Sequence, residues 1–274
     1  MKTSLPLRSW RCARLILHFL LGLFEVGLLF PLRSSKVREA AIQRWSRRLC
    51  TILAIHIQTH GAAPTHRPHN TLLVANHVSW LDIFVLNSVF PARFVAKAEV
   101  RHWPLIGWLC AQTGTLFITR ERRHDTRRVN KQIAHALQDG DCIAVFPEGG
   151  TSDGMSTRAF NASLLQPAVE SHAHIQAVAI NYYDQHGARS LAAAYIDDMS
   201  LWTSLTRLMA EPSLQVRLDY FPRLAAATSS RRELAMQAEQ WIAARVALDA
   251  PSTAQADAGQ PAPETTARHP DAAH

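Results

Sequence analysis

Between residues 72 and 220 short, apolar, β-prone segments alternate with stretches apolar at helical spacing, and this alternation restricts the possible folds more than any other feature. The strand-like segments are Leu72–Ala75, Arg93–Ala96, Thr115–Thr119, Cys142–Phe146, Ile175–Tyr183 and Gln215–Tyr220. Helix-like segments lie between several of them, notably Ser79–Val89 and Arg123–Leu137. Such alternation predicts an α/β layer structure with a substantially parallel sheet. In sheets of this kind the chemistry collects in loops beyond the carboxyl ends of the strands. An apolar fraction of 47% supports a real core. The four cysteines, Cys12, Cys50, Cys110 and Cys142, are widely spaced, a pattern that suits a reducing compartment.

The charge of +7 is unevenly placed. Residues 1–50 hold ten Lys/Arg against two acids, whereas residues 249–274 hold one Arg against four acids. A basic N-terminus could serve nucleic acid or an anionic membrane surface, and its neighbours favour the membrane. "LILHFLLGLFEVGLLF", Leu15–Phe30, is an apolar run broken only by His18 and Glu25. As a helix it spans about 24 Å, less than a hydrocarbon core of roughly 30 Å. Arginines flank it on both sides, so a helix lying in, or dipping into, one leaflet with both ends on the cytoplasmic side is expected, with a single membrane span as the alternative. Residues 36–57 read as a second, basic amphipathic helix running into a strand. From Asp249 the chain is rich in Pro, Ala and polar residues without periodicity, and a disordered tail is expected. His172-x-His174 has a tempting ligand spacing, but no Cys or carboxylate adjoins it; a solvated turn and no metal are expected.

The first predicted strand ends in "ANHVSWLD", Ala75–Asp82. Ser79-x-x-Asp82 suits a helix start, with Asp82 in the first turn. His77 and Asp82 equally suit an acid–base pair at a strand end. The spacing alone does not choose between them. Two further blocks end strands. "GTLFITRERR" leads into Arg120, Arg122, Arg123 and, further on, Arg127; a solvated helix start and an anion site are both open, since a guanidinium binds phosphate or carboxylate in a bidentate fork. "AVFPEGGTSDG" ends a buried strand in Glu148, Gly149 and Gly150, where glycines let the backbone approach a ligand. Neither GxxxxGK[ST] nor GxSxG occurs, so a P-loop or a hydrolase nucleophile elbow has no support.

Asn76-His77 with Asp82, then Gly114 with Phe117-Ile118 and Arg120, then Phe146-Pro147-Glu148-Gly149 follow one another in the order and approximate spacing of the glycerolipid acyltransferase family. Over about residues 40–220 the chain resembles its 1-acylglycerol-3-phosphate O-acyltransferase branch. The resemblance implies an α/β sheet flanked by helices, with an N-terminal membrane-associated helix pair. On this reading residues 1–60 are the membrane-associated helices, 61–248 the acyltransferase domain and 249–274 the tail.

The resemblance implies that His77 is the base and Asp82 its partner, with Arg120, Glu148 and Gly149 at the acceptor headgroup. The lipid hydroxyl is then the nucleophile, and an acyl carrier protein or coenzyme A thioester the donor, with no metal or other cofactor. Backbone N–H groups near Gly149 could also stabilise the developing oxyanion. A membrane-associated enzyme on the cytoplasmic face of the inner membrane follows, making phosphatidic acid from 1-acylglycerol 3-phosphate.

Two departures stand out. The family commonly continues Phe-Pro-Glu-Gly-Thr-Arg-Ser, whereas "FPEGGTSDG" lacks that Arg; its fourth block usually carries Pro where this chain has Ala177. Arg158 or Arg120 could supply the missing cation. The alternative acceptor is a lyso-ornithine lipid or similar amphiphile. A catalytically silent lipid-binding protein would have no need of the base, and no helix-turn-helix or aromatic–basic pattern supports nucleic-acid binding.

Overall fold

The computed structural model describes residues 2–118 and 123–248, without the side chains of residues 123–127. Arg120, Arg122 and the tail expected to be disordered lie outside the described residues. The strands are β1 (Ile55–Gly61), β2 (Thr71–Ala75), β3 (Arg93–Lys97), β4 (Leu116–Ile118), β5 (Cys142–Val145), β6 (His174–Tyr183), β7 (Leu214–Tyr220) and β8 (Leu224–Ala225). The α-helices are α1 (Leu5–Phe24), α2 (Ser35–Ile52), α3 (Asp82–Val89), α4 (Ile106–Gln112), α5 (Arg123–Gln138), α6 (Gln166–Glu170), α7 (Leu201–Ala210) and α8 (Arg231–Leu248).

Among the described residues the strands form one sheet in the order β1-β7-β6-β2-β5-β3-β4, with β8 on β6. β6, β2, β5, β3 and β4 run parallel, as the alternation predicts. β7 is antiparallel to β6, and β1 is parallel to β7. The sheet therefore begins at Ile55, ahead of the division drawn at residues 60 and 61. β2 is buried along its whole length because it sits in mid-sheet with helices on both faces. Leu73 belongs to the apolar cluster shared with the layer of α2, α3 and α7, which includes Leu49, Val85 and Leu208. Leu72 and Val74 belong to the cluster on the opposite face, shared with the layer of α5, α6 and α8 and including Ile133, Ala168 and Ile242.

The N-terminal run is longer than its apolar stretch suggests. Helical structure is continuous over Leu5–Leu32, 28 residues that are long and apolar enough to cross a membrane by length and composition. A π-helical segment occupies Glu25–Leu29 and a 3₁₀ turn Phe30–Leu32. The two polar residues that interrupt the run mark its protein-facing side. His18 stacks on Trp45 of α2 at 4.4 Å, and its ring meets the Trp45 carbonyl at 3.1 Å. Glu25 pairs with Arg33 at 2.5 Å and with Arg44 at 2.9 Å. Close approach matters here, since a Cβ on Gly22 would fall 2.5 Å from the Trp45 Nε1.

At the other end Arg11 donates to the carbonyls of Glu211 (2.6 Å) and Pro212 (2.7 Å), just beyond α7. The Thr3 N–H donates to the Ala210 carbonyl at 2.9 Å. α1 is thus tied to the α/β body at both ends. The opposite side carries Leu17, Leu20, Phe24 and Leu28, all more than half exposed. An apolar face beside a protein-bound one suits a helix lying in the membrane interface. Replacing Leu17 and Phe24 together with Glu should weaken binding to anionic vesicles about 10-fold or more, because it removes two apolar insertions and adds two repelled charges. Cosedimentation equal to that of the unaltered protein would rule out this face as the membrane contact.

Candidate active site

β2 ends at Ala75, and the next three residues build the site. Asn76, fully buried, takes over from the backbone: its amide donates to the Ile180 carbonyl at 2.9 Å and accepts the Ile180 N–H at 2.7 Å. This side chain extends the β2–β6 ladder beyond Ala75, which pairs with Val178. The turn after it is thereby held, and His77 emerges at the carboxyl end of the strand.

The His77 Nδ1 lies 2.8 Å from the Asp82 Oδ2. A carboxylate only accepts, so Nδ1 is the donor in this contact and Nε2 is the nitrogen left to face a ligand. The same Oδ2 accepts the N–H groups of Val78 at 2.8 Å and Ser79 at 2.9 Å. Oδ1 accepts the Tyr182 hydroxyl at 2.6 Å. Asp82 is therefore both the cap of the α3 entry turn and the partner of His77, through a single oxygen. The Ser79 hydroxyl, which a capping box would use, has no protein partner, and α3 starts at Asp82 rather than Ser79. The pair is asymmetric in exposure: the Asp82 side chain is fully buried, whereas that of His77 is 19% exposed. Phe146 lies flat against the imidazole, with ring centroids 4.0 Å apart and planes 8° from parallel. Its ring fixes that of His77 from the β5 side.

The Glu148 loop closes on the same residue. Glu148 accepts the His77 N–H on Oε1 at 2.8 Å and the Arg158 N–H on Oε2 at 3.0 Å. Burial pushes its carboxyl above the ordinary range, and the two N–H groups act against that shift. Both oxygens are thus engaged with the backbone, and Glu148 bears on the site by placing His77 and Arg158. Gly149 has φ of 78°, which only glycine adopts readily, and its N–H closes a turn onto the Phe146 carbonyl at 3.1 Å. A Cβ on Gly150 would approach the Arg158 guanidinium to 3.4 Å. The Ser152 N–H donates to the His77 carbonyl at 2.8 Å. His77, Asp82, Glu148, Gly149, Gly150 and Arg158 therefore meet at one end of the sheet, while Arg120 lies outside the described residues.

Tyr182 was not legible as a site residue. It lies 100 residues from Asp82 on β6, where no local pattern singles it out. Alternation along that strand carries the signal in retrospect: Val178, Ile180 and Tyr182 share the face that packs on α3.

Among the described residues no hydroxyl or thiol bonds to the His77 ring, whose side-chain hydrogen-bond partner is Asp82. A histidine paired with a buried carboxylate at a strand end is an arrangement able to take a proton from an external hydroxyl. An acyltransferase family model matches residues 56–181. The chain is 38% identical over 214 residues to a 1-acyl-sn-glycerol-3-phosphate acyltransferase of Neisseria meningitidis, covering 78% of this chain and 83% of that one. It is 39% identical over 212 residues to a lyso-ornithine lipid O-acyltransferase of Pseudomonas aeruginosa, covering 77% and 80%. The fold matches the crystal structure of the 1-acyl-sn-glycerophosphate acyltransferase of Thermotoga maritima with a TM-score of 0.61, at 23% identity, over 87% of this chain and 96% of that one. The chain belongs to the glycerolipid acyltransferase family and is an acyltransferase of the lysophosphatidate and lysolipid type.

Proposed function

We propose that the protein transfers an acyl chain from an acyl thioester to the free hydroxyl of 1-acylglycerol 3-phosphate, giving phosphatidic acid on the cytoplasmic face of the membrane. The observation that carries this reading is the His77 imidazole, proton-bound to a buried carboxylate through Nδ1 and reachable from solvent. In the reaction Nε2 takes the proton of the lipid hydroxyl as its oxygen attacks the thioester carbonyl. Asp82 keeps the tautomer and stabilises the imidazolium so formed. The tetrahedral intermediate then expels the thiolate, which recovers the proton from Nε2. The donor is an acyl carrier protein or coenzyme A thioester, both acidic and both suited to a chain of charge +7.

Arg120 and Arg158 are the proposed cations for the acceptor headgroup, with Glu148, Gly149 and Gly150 shaping the loop around it. A charge-assisted hydrogen bond contributes roughly 1.5–3 kcal/mol, so Arg120→Ala should lower kcat/KM for lysophosphatidate by about 10- to 150-fold. Lysine at this position should restore activity only in part, since a point charge cannot reproduce the fork.

The loop after Glu148 favours a second reading, acylation of a lyso-ornithine lipid. It carries Gly150-Thr151-Ser152 where the family commonly places an Arg, and a relative of that name is as similar as the phosphate-lipid enzyme. Purified protein given both lysolipids with each thioester, and products identified by mass spectrometry, separates the two. Acylation of the ornithine lipid alone would reject phosphatidic acid as the product.

A further inference from the structure

We propose that Tyr182 is a positioning residue of the reaction, its hydroxyl setting how strongly Asp82 attracts the proton that His77 acquires. The proposal rests on the assignment of His77 and Asp82 above and extends it to a residue on the far side of the carboxylate.

Asp82 divides its acceptor capacity unequally. Oδ2 faces the imidazole and two backbone N–H groups, whereas the Tyr182 hydroxyl, 2.6 Å from Oδ1, is the partner of the other oxygen among the described residues. A hydroxyl 2.6 Å from a carboxylate is a charge-assisted contact, in which the donor draws negative charge toward itself. That charge is withheld from the imidazolium on the other oxygen. Tyr182 is 2% exposed and the Asp82 side chain is fully buried, so water does not substitute for the phenol, and the phenol does not reach a substrate.

The surrounding groups leave the contact in one protonation state. Burial and the Asp82 charge hold the Tyr182 hydroxyl well above its ordinary value, so it remains a donor through the working range. Among the described residues the other titratable group acting on the phenol is the Cys50 thiol of α2, which burial pushes up to about 12 and keeps neutral. Around His77 stand Asp82, Glu148 and Arg158, and of these Asp82 alone bonds to Tyr182. Removal of the hydroxyl therefore alters one charged group, Asp82.

The direction follows from the charge. Without the phenolic donor Asp82 presents more negative charge to the ring, the imidazolium is favoured and the base takes up its proton at higher pH. A base works only when unprotonated, so the acid limb of kcat/KM moves up by roughly 0.5–1 unit in Tyr182→Phe. On that limb the loss is about 3- to 10-fold, while KM stays within about 2-fold because the phenol lies behind the site. A ring-fluorinated tyrosine at position 182, a stronger donor of nearly the same size, should move the limb in the opposite direction. A merely structural role produces no shift of either sign.

Tyr220→Phe is the control: Tyr220 is also 2% exposed, lies in the same core layer, and its hydroxyl has no protein partner. Its acid limb should coincide with that of the unaltered protein. The experiment is to record kcat/KM against pH for the unaltered protein, Tyr182→Phe, the fluorinated variant, Tyr220→Phe and His77→Gln. Opposite shifts for the first two variants, with none for Tyr220→Phe, support the proposal. An inactive His77→Gln beside unshifted limbs for both Tyr182 variants overturns the role of Tyr182 alone. Full activity in His77→Gln overturns the underlying assignment of the base.

Discussion

Replacement of His77 by Ala should lower the rate of thiol release from an acyl thioester in the presence of lysolipid by about 10³-fold or more, with the far-UV spectrum unchanged. The magnitude is that of a positioned general base, which contributes typically 10²–10⁴-fold. The fold should survive because the His77 side chain reaches the surface and its backbone is held independently. The N–H of His77 donates to Glu148, its carbonyl accepts the Ser152 N–H, and Asn76 ties the preceding turn to β6. What alanine removes is the ring and its contacts with Asp82 and Phe146. Asp82 keeps three donors, from Val78, Ser79 and Tyr182, so its charge is not left unpartnered. A folded His77→Ala enzyme within a few-fold of normal activity would refute the mechanism.

Asp82→Asn should lower kcat by about 10²- to 10⁴-fold at nearly unchanged stability. The amide can enter the site in one orientation. Its oxygen replaces Oδ2 and accepts from His77, Val78 and Ser79, and its NH₂ replaces Oδ1 and donates to the Tyr182 oxygen, which accepts as well as donates. Geometry is retained, but the imidazolium formed during the reaction loses its counter-charge. Asp82→Ala differs, since it strips several buried donors of their acceptor at about 1–3 kcal/mol each and so threatens the fold itself. Comparing the melting temperature and single-turnover rate of the two variants distinguishes these effects. A loss of activity that merely tracks a loss of melting temperature in Asp82→Asn would assign Asp82 to the fold alone.

Much of this protein was legible in its sequence because the relevant physics is local. The period of apolar residues distinguishes strand from helix within each segment, and so the parallel core strands β2 to β6 and the helices α3 and α5 were visible from "TLLVA", "DIFVLNSV" and their like. The short spacing in "ANHVSWLD" brought His77 and Asp82 together, because a turn between a strand and a helix keeps residues five apart within reach. The acidic helix start and the His77–Asp82 pairing are not rivals, since one carboxylate oxygen makes both contacts.

Tertiary structure decided what depends on register and on facing elements. β1 entered the sheet by pairing with β7, a partner some 160 positions away that its own polar exposed residues do not announce. His18 and Glu25, which read as blemishes in an apolar run, became the protein-facing edge of α1 only once Trp45, Arg33 and Arg44 stood opposite. Glu148 gained its two backbone donors from the folding of the loop over His77, and Tyr182 met Asp82 through the alternation of β6 and the packing of α3 upon it. Local periodicity and spacing thus determined the elements and the His77–Asp82 pair. Long-range pairing alone decided what surrounds that pair, because a hydrogen bond between residues 100 positions apart leaves no trace in the neighbourhood of either one.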